Sequence, residues 1–399
     1  MTSQPSPILI AGAGPVGLFC AVMLVRAGVP VIVLEQNDDL AQDMRASTFH
    51  PATLDLLTPY GLDQPLVSRG SITPRWQYLV HGTGQQAIFD LDVISDLTAH
   101  PYRLQCEQFH FTELALEYLH EQAGFEIRFG HAVTSCRQDE HRVEVMVDHD
   151  GEQYVLKSPW LIAADGGSSG VRKSLGLSFE GSIFPKTSIT LVINVPLEQD
   201  YPELQGVNYV WTDSGHYSLM QIRDLWRFTY SPGAGQTVAE ALDDQSVQAA
   251  LQSVFPRSEP YRLLQKNHYT LHQRSLERFR EGRVLFAGDS AHLNSPAGGM
   301  GMNGGMHDAR CLVDHMLPVL EGGDAALLDR YSRRRLTIAR EEVQRLSARN
   351  YRWHRETDPA RRREIWDELT AITGDRSRMR DFLLNASMIR SRQREQEID

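Results

Sequence analysis

The stretch that decides the fold is ILIAGAGPVGLFCAVMLVRAGVPVIVLEQ, Ile8 to Gln36. Its first eighteen residues, Ile8 to Val25, carry no charge, which is long enough on count for a membrane span. The punctuation argues against one. Gly12, Gly14, Pro15 and Gly17 split the run into two apolar pieces of different period. Ile8 to Ala11 suits a short buried parallel strand, whereas Leu18, Ala21, Val22, Leu24 and Val25 recur at helical spacing. Val29 to Leu34 reads as a second buried strand, ending in Glu35. A secretory signal is also excluded as a reading, because Met1 to Pro7 lacks the basic side chain that should precede the apolar run.

Strand, G-x-G-x-x-G, helix, strand and acid in one frame point to a dinucleotide. Gly12 permits the tight turn, Gly14 lets the backbone approach a pyrophosphate, and Gly17 lets the helix pack on the strand. The helix start offers amide groups and the positive end of its dipole. Gly12, Gly14, Pro15, Val16 and Gly17 thus form the predicted phosphate turn, with Glu35 and Gln36 at the adenosine end. A carboxylate eighteen residues after Gly17 is placed for a ribose 2'-hydroxyl, which favours FAD or NAD over NADP.

The bulk numbers narrow the class. A chain of 399 residues divides on length into two or three units, and 41% hydrophobic with 23% charged residues is ordinary for a globular protein. A net charge of -11 argues against nucleic acid, whose binding rests on a basic face. Cys20, Cys106, Cys136 and Cys311 are far apart and show neither a metal-ligand nor a disulfide pattern. The expectation is a cytoplasmic protein with no metal.

Two later stretches repeat the strand-to-loop logic. WLIAADGGSSGVRKSLGL gives a buried strand, Trp160 to Ala164, then Asp165, Gly166 and, at a helix start, Arg172. GRVLFAGDSAHLNSPAGGMGMNGGMHDARCL gives a strand to Ala287, then Gly288 and Asp289, and a glycine-rich loop from Pro296 to Gly305 that feeds an amphipathic helix. With the G-x-G-x-x-G block and the RAST at Arg45, these pieces make the sequence resemble the class A flavoprotein aromatic hydroxylases, the family of p-hydroxybenzoate hydroxylase. The four pieces frame about the first 310 residues in the family's order.

The resemblance implies bound FAD and positions for its contacts. Asp289 should reach the ribityl chain, with Gly288, Pro296 and Gly299 shaping the loop; Gly301, Met302 and Asn303 should aim backbone amides at the flavin edge where negative charge accumulates. Arg45 should sit over the flavin, and Asp165, Gly166 and Arg172 beside the pyrophosphate and a passing nicotinamide cofactor. Within RLQCEQFHF the ribityl-contacting glutamine is Gln105 or Gln108; Gln108 is preferred because Phe111, Leu114, Ala115 and Tyr118 continue a helical stripe from it.

The substrate side has a different texture. Ser188 to Val195, Val207 to Thr212, Gly215 to Ile222 and Leu225 to Tyr230 read as short strands of an antiparallel sheet, joined by a hairpin over Trp76 to Val93. Tyr209, His216 and Tyr217 are the candidates for deprotonating a phenol-like substrate, and Arg223 and Arg227 the candidates for anchoring a carboxylate. His50 in FHPATLDLL reads instead as a residue at a helix start. Past residue 325 the chain is helical with interleaved arginine and glutamate, the pattern of a solvated face.

The expected architecture is α/β. An FAD-binding Rossmann-like domain of glutathione reductase type takes residues 1–75, 98–180 and 270–325. An interleaved β-sheet substrate domain takes 76–97 and 181–269, and C-terminal helices take 326–399. The resemblance implies a monooxygenase, monomeric or homodimeric, that uses NAD(P)H and O2 to hydroxylate a small phenolic or N-heterocyclic aromatic through a flavin C4a-hydroperoxide. Halogenation is disfavoured because no lysine precedes Lys157. A flavin reductase without oxygen insertion and a flavin-bound redox sensor are the alternatives.

Overall fold

The structure, a computed structural model, describes residues 6–42, 46–184, 187–213, 215–233 and 235–399. The opening run forms the strand Ile8–Ala11 and the helix Pro15–Arg26. The strand pairs in parallel with Val31–Leu34 on one side and Leu161–Ala163 on the other. The full sheet runs Arg280–Glu281, Val284–Phe286, Leu161–Ala163, Ile8–Ala11, Val31–Leu34, Phe125–Arg128, and only the Arg280–Glu281 edge is antiparallel. Short, wholly apolar strands are expected where helices cover both faces of a parallel sheet.

The glycines make the close packing possible. Gly12 adopts a φ of +100°, and a methyl on Gly17 would lie 2.0 Å from the Gly12 carbonyl oxygen, so helix and strand meet backbone to backbone. Gly17 to Val25 are all buried. The uncharged run is therefore core, and among the described residues no helix is long and apolar enough to cross a membrane.

The second large sheet has seven strands in the order Leu263–Tyr269, Ser188–Ile193, Leu225–Tyr230, His216–Ile222, Val207–Trp211, Arg75–Val80, Gln85–Asp90. All neighbours are antiparallel except Val207–Trp211 with Arg75–Val80, where the predicted hairpin joins in parallel. Alternation along each strand splits the sheet into two faces. Ile189, Leu191, Val210, Tyr217, Leu219, Trp226 and Phe228 form one core with Phe255 and the helix Asp244–Val254. Tyr209, His216, Ser218, Met220, Arg227 and Thr229 lie on the other face.

Two features depart from the sequence reading. Residues Ala132–Ser158 make a separate antiparallel sheet of three strands. The helices after residue 325 are not a solvated appendage: Leu346, Trp353, Leu369, Phe382 and Leu383 pack with Trp76, Tyr78 and Phe89 of the seven-stranded sheet. The charges conceal this face because arginine stems and small polar residues occupy part of it.

Candidate active site

One cavity runs from the Gly14–Val16 turn, past Gly288 and Asp289 and the 296–302 loop, to the polar face of the seven-stranded sheet. Of the residues singled out in the sequence, Gly14, Pro15, Val16, Gln108, Gly166, His216, Gly288, Asp289, Pro296, Gly299, Gly301 and Met302 line it. Gly12, Gly17, Glu35, Gln36, Asp165, Arg172, Asn303 and Tyr217 do not, and Arg45 lies outside the described residues.

At the phosphate turn a methyl on Gly14 would meet no protein atom within 4 Å, so the space beside it is an open cradle. The helix there has Pro15 in its first turn, no acidic residue and no side-chain cap, leaving its first amides without partners among the described residues. Glu35 is only 9% exposed. One of its oxygens accepts from the Ala13 amide at 2.8 Å, and the other accepts from the Asn37 amide at 3.0 Å and side chain at 2.7 Å. The acid thereby ties the turn to the end of the second strand.

Asp165 follows the strand Leu161–Ala163, and its Oδ2 accepts from the Val171 amide in the first turn of the next helix at 3.1 Å. Its Oδ1 is buried without a protein partner, and burial raises its pKa above the ordinary carboxylate value. Arg172 clamps neighbouring segments of the chain. Its guanidinium donates to the carbonyls of Ser290 at 2.9 Å and Gly167 at 2.7 Å and lies 3.8 Å over the Phe179 ring.

The loop after Gly288 ends in the helix Met300–Leu320, whose N-cap Gly299 is left-handed at φ 69°. No side chain caps that helix and its first turn holds no acid, so the amides of Met300, Gly301 and Met302 are open at the cavity. Two of these, Gly301 and Met302, belong to the expected amide trio. Asn303 already lies inside the helix, and its side chain accepts from the His50 amide at 2.9 Å and donates to the Thr48 and Gly299 carbonyls, both at 2.7 Å.

His50, at the N-cap of Pro51–Leu57, donates Nε2–H to the Gly298 carbonyl at 2.8 Å. A carbonyl can only accept, which fixes the tautomer. Burial, reinforced by the charge of Arg103, lowers its pKa to about 3, so it holds the loop as a neutral tie. Beneath the loop, the fully buried Asp308 accepts from the Gly288 amide at 2.9 Å, His292 at 2.8 Å and Arg335 at 2.6 Å. Burial alone would raise its pKa; the charges of His292 and Arg335 outweigh that and hold it ionised.

On the substrate side, His216 lines the cavity, edge-on to His354 at 4.9 Å, with Nε2 3.4 Å from the Ser231 hydroxyl. Tyr217 is ruled out as a base. It points through the sheet into the opposite core, with the rings of Phe228 at 5.1 Å and Phe255 at 5.7 Å, and burial pushes its pKa far up. Arg223 is exposed in a left-handed turn at φ 54° and does not reach the cavity, whereas Arg227 lines it.

Sequence reading missed Arg103, Tyr351, His354 and Arg355. The last three come from the helix Arg345–Arg355. His354 donates to the Tyr217 carbonyl at 2.8 Å. Arg355 bridges the hydroxyls of Ser188 and Ser231, both at 2.7 Å, bracing the end of two paired strands of the sheet wall.

The open cradle at Gly14, the unpaired amides at both helix starts and the Glu35 carboxylate fit the diphosphate, flavin edge and ribose of FAD. The family model described as an FAD binding domain matches residues 6–346. The chain belongs to that family. It is a flavin-dependent monooxygenase, similar along its whole length to para-nitrophenol 4-monooxygenase of Pseudomonas sp. (strain WBC-3), at 32% identity over 96% of each chain. A second full-length relative is a 6-hydroxy-3-succinoylpyridine 3-monooxygenase of Pseudomonas putida, 29% identical over 96% of this chain and 97% of that one. Among solved structures, p-nitrophenol 4-monooxygenase from Pseudomonas putida DLL-E4 superposes with a TM-score of 0.89 at 30% identity, covering 96% of this chain and 98% of that one. This FAD-binding monooxygenase thus shares its architecture as well as its motifs with aromatic hydroxylases.

Proposed function

We propose that this flavoprotein uses NAD(P)H and O2 to place a hydroxyl group on a small phenolic or N-heterocyclic ring. The observation that carries this reading is the continuity of one cavity, from the glycine turn and the open amides of Met300 to Met302 to a wall of Tyr209, Met220, Thr229 and Leu271. Two full-length relatives named for a nitrophenol and a hydroxypyridine support the substrate class. When bound, FAD supplies hydride acceptance and oxygen activation.

The chain's own residues do the rest. Gly14 and the following amides seat the diphosphate, Glu35 takes the adenosine ribose and Asp289 the ribityl chain. The amides of Met300, Gly301 and Met302 stabilise negative charge at the flavin edge, a contribution that oriented dipoles make without reorganising. The sheet and the helix Arg345–Arg355 exclude water, which protects a reactive oxygen species from solvent. His216 is the candidate side chain for proton movement at the ring. A reducing cytoplasm fits four cysteines that are all free.

The test is direct. Purified protein should be yellow, and phenols or hydroxypyridines should stimulate its NAD(P)H oxidation in air, with labelled oxygen from O2 appearing in the product. Turnover at full rate without O2 would instead favour a reductase, and flavin that no aromatic stimulates would favour a redox sensor.

A further inference from the structure

Arg103 opens the short strand Arg103–Gln105 and lines the cavity, yet only 4% of its surface is exposed. Its guanidinium lies 4.3 Å from the centre of the Trp76 ring, and Tyr209 stands beside it in the same wall. No carboxylate among the described residues pairs with it, and the polar groups beside it are the side chains of Tyr209 and Tyr78. A buried cation without a counter-ion is costly, and burial does lower the pKa of this one. Among the described residues that line the cavity the one carboxylate is Asp289, on the Gly288 turn, while Arg227 and Arg355 line it beside Arg103.

We infer that Arg103, with the Tyr209 hydroxyl beside it, anchors the ring-borne oxyanion of the substrate, so that the enzyme takes its aromatic as a phenolate. The inference rests on the proposed hydroxylation and deepens it. A phenol entering the chamber loses its proton to water, and the guanidinium stabilises the oxygen left behind. No carboxylate base is then needed in the wall. The anchored phenolate is also more electron-rich than the phenol, which suits it to accept an electrophilic oxygen. The Tyr209 hydroxyl completes the pair as a hydrogen-bond donor, and the Trp76 ring lies against the guanidinium.

The test uses the FAD-loaded enzyme without NAD(P)H, titrated with 4-nitrophenol across pH while the nitrophenolate band is followed. Wild type should bind the phenolate and lower the pKa of the bound phenol. Arg103→Met should weaken nitrophenolate binding about ten- to a hundredfold, the range for a charge-assisted hydrogen bond, and return the bound pKa toward its free value. Arg103→Lys should recover part of both effects. Affinity for the neutral ether 4-nitroanisole should change by less than about threefold. Flavin content and melting temperature show that each variant is folded; if Arg103→Met loses flavin, the lysine variant and the wild-type pKa shift still decide. Wild type binding neutral nitrophenol, or a flavin-replete Arg103→Met with near-wild-type phenolate affinity, overturns the anchor. Because the readout is binding, it is separate from failure of the proposed hydroxylation, which would show as no oxygen-labelled product from wild type.

Discussion

Gly14 and Gly17 stand three residues apart in one turn, and substitution should disable them in different ways. An alanine methyl at 14 meets no protein atom within 4 Å, so Gly14→Ala should keep the stability of the flavin-free protein to within about 1 kcal/mol while filling the phosphate cradle. A methyl at 17 would sit 2.0 Å from the Gly12 carbonyl oxygen, forcing helix and strand apart at a cost of about 1–3 kcal/mol or more. Flavin per chain after gel filtration, set beside urea midpoints, separates the two; equal destabilisation would contradict the division of roles. The turn was legible because its residues act through backbone shape. Glu35 was legible as an acid at a strand end, but its bond to the Ala13 amide joins groups that only the fold brings together. Tyr217 shows a sign that was present in the sequence and passed over: consecutive strand residues face opposite ways, so His216 and Tyr217 could never both enter one chamber.

At the level of the element, the helix Arg345–Arg355 was misjudged because its inward face is written largely in polar residues. Leu346, Ser347, Asn350, Tyr351 and His354 recur at helical spacing and are buried or half-buried, but only one is aliphatic. Arg355 carries the consequence, since it holds the hydroxyls of Ser188 and Ser231 at one end of two paired strands of the sheet wall. Charge-assisted bonds of this kind are worth about 1.5–3 kcal/mol. Arg355→Gln should therefore loosen that end of the wall and release more hydrogen peroxide per NAD(P)H consumed, with flavin content unchanged. Peroxide assayed alongside hydroxylated product checks this, and unaltered coupling would remove the brace from the mechanism. The strands of the seven-stranded sheet, by contrast, were readable from alternation and turns. The parallel join of Val207–Trp211 to Arg75–Val80 was not, because register between distant segments leaves no local signal.

For the molecule as a whole, three buried histidines set the response to acid. Burial is the leading cause in each case, and it lowers His50 and His307 to about 3 and His354 to about 4, from an ordinary 6.5. The unfolded chain therefore binds protons at these sites from pH 6.5 downward while the folded chain does not. Stability must fall as pH drops through that window, by about 1.4 kcal/mol per pH unit for each histidine. His100, raised chiefly by its hydrogen bond to Asp55, is protonated in both states below pH 6.5 and does not oppose the loss there. Unfolding free energies from urea titrations at pH 7 and pH 5 should differ by several kcal/mol in favour of pH 7; equal values would contradict it. The convergence of arginines was hidden at this scale too, since Arg103, Arg227 and Arg355 reach one cavity from three distant segments of an acidic chain. His50 has a further use. As a tie that keeps one protonation state across the working range, it holds the 298–302 loop in the same place at pH 6 and pH 9, so the scaffold around the flavin edge is silent in a titration. A pH–rate profile that shifts with ring substituents is then the substrate's own signature, and one that stays fixed points to His216; the profile becomes a way to interrogate an unidentified substrate through the enzyme.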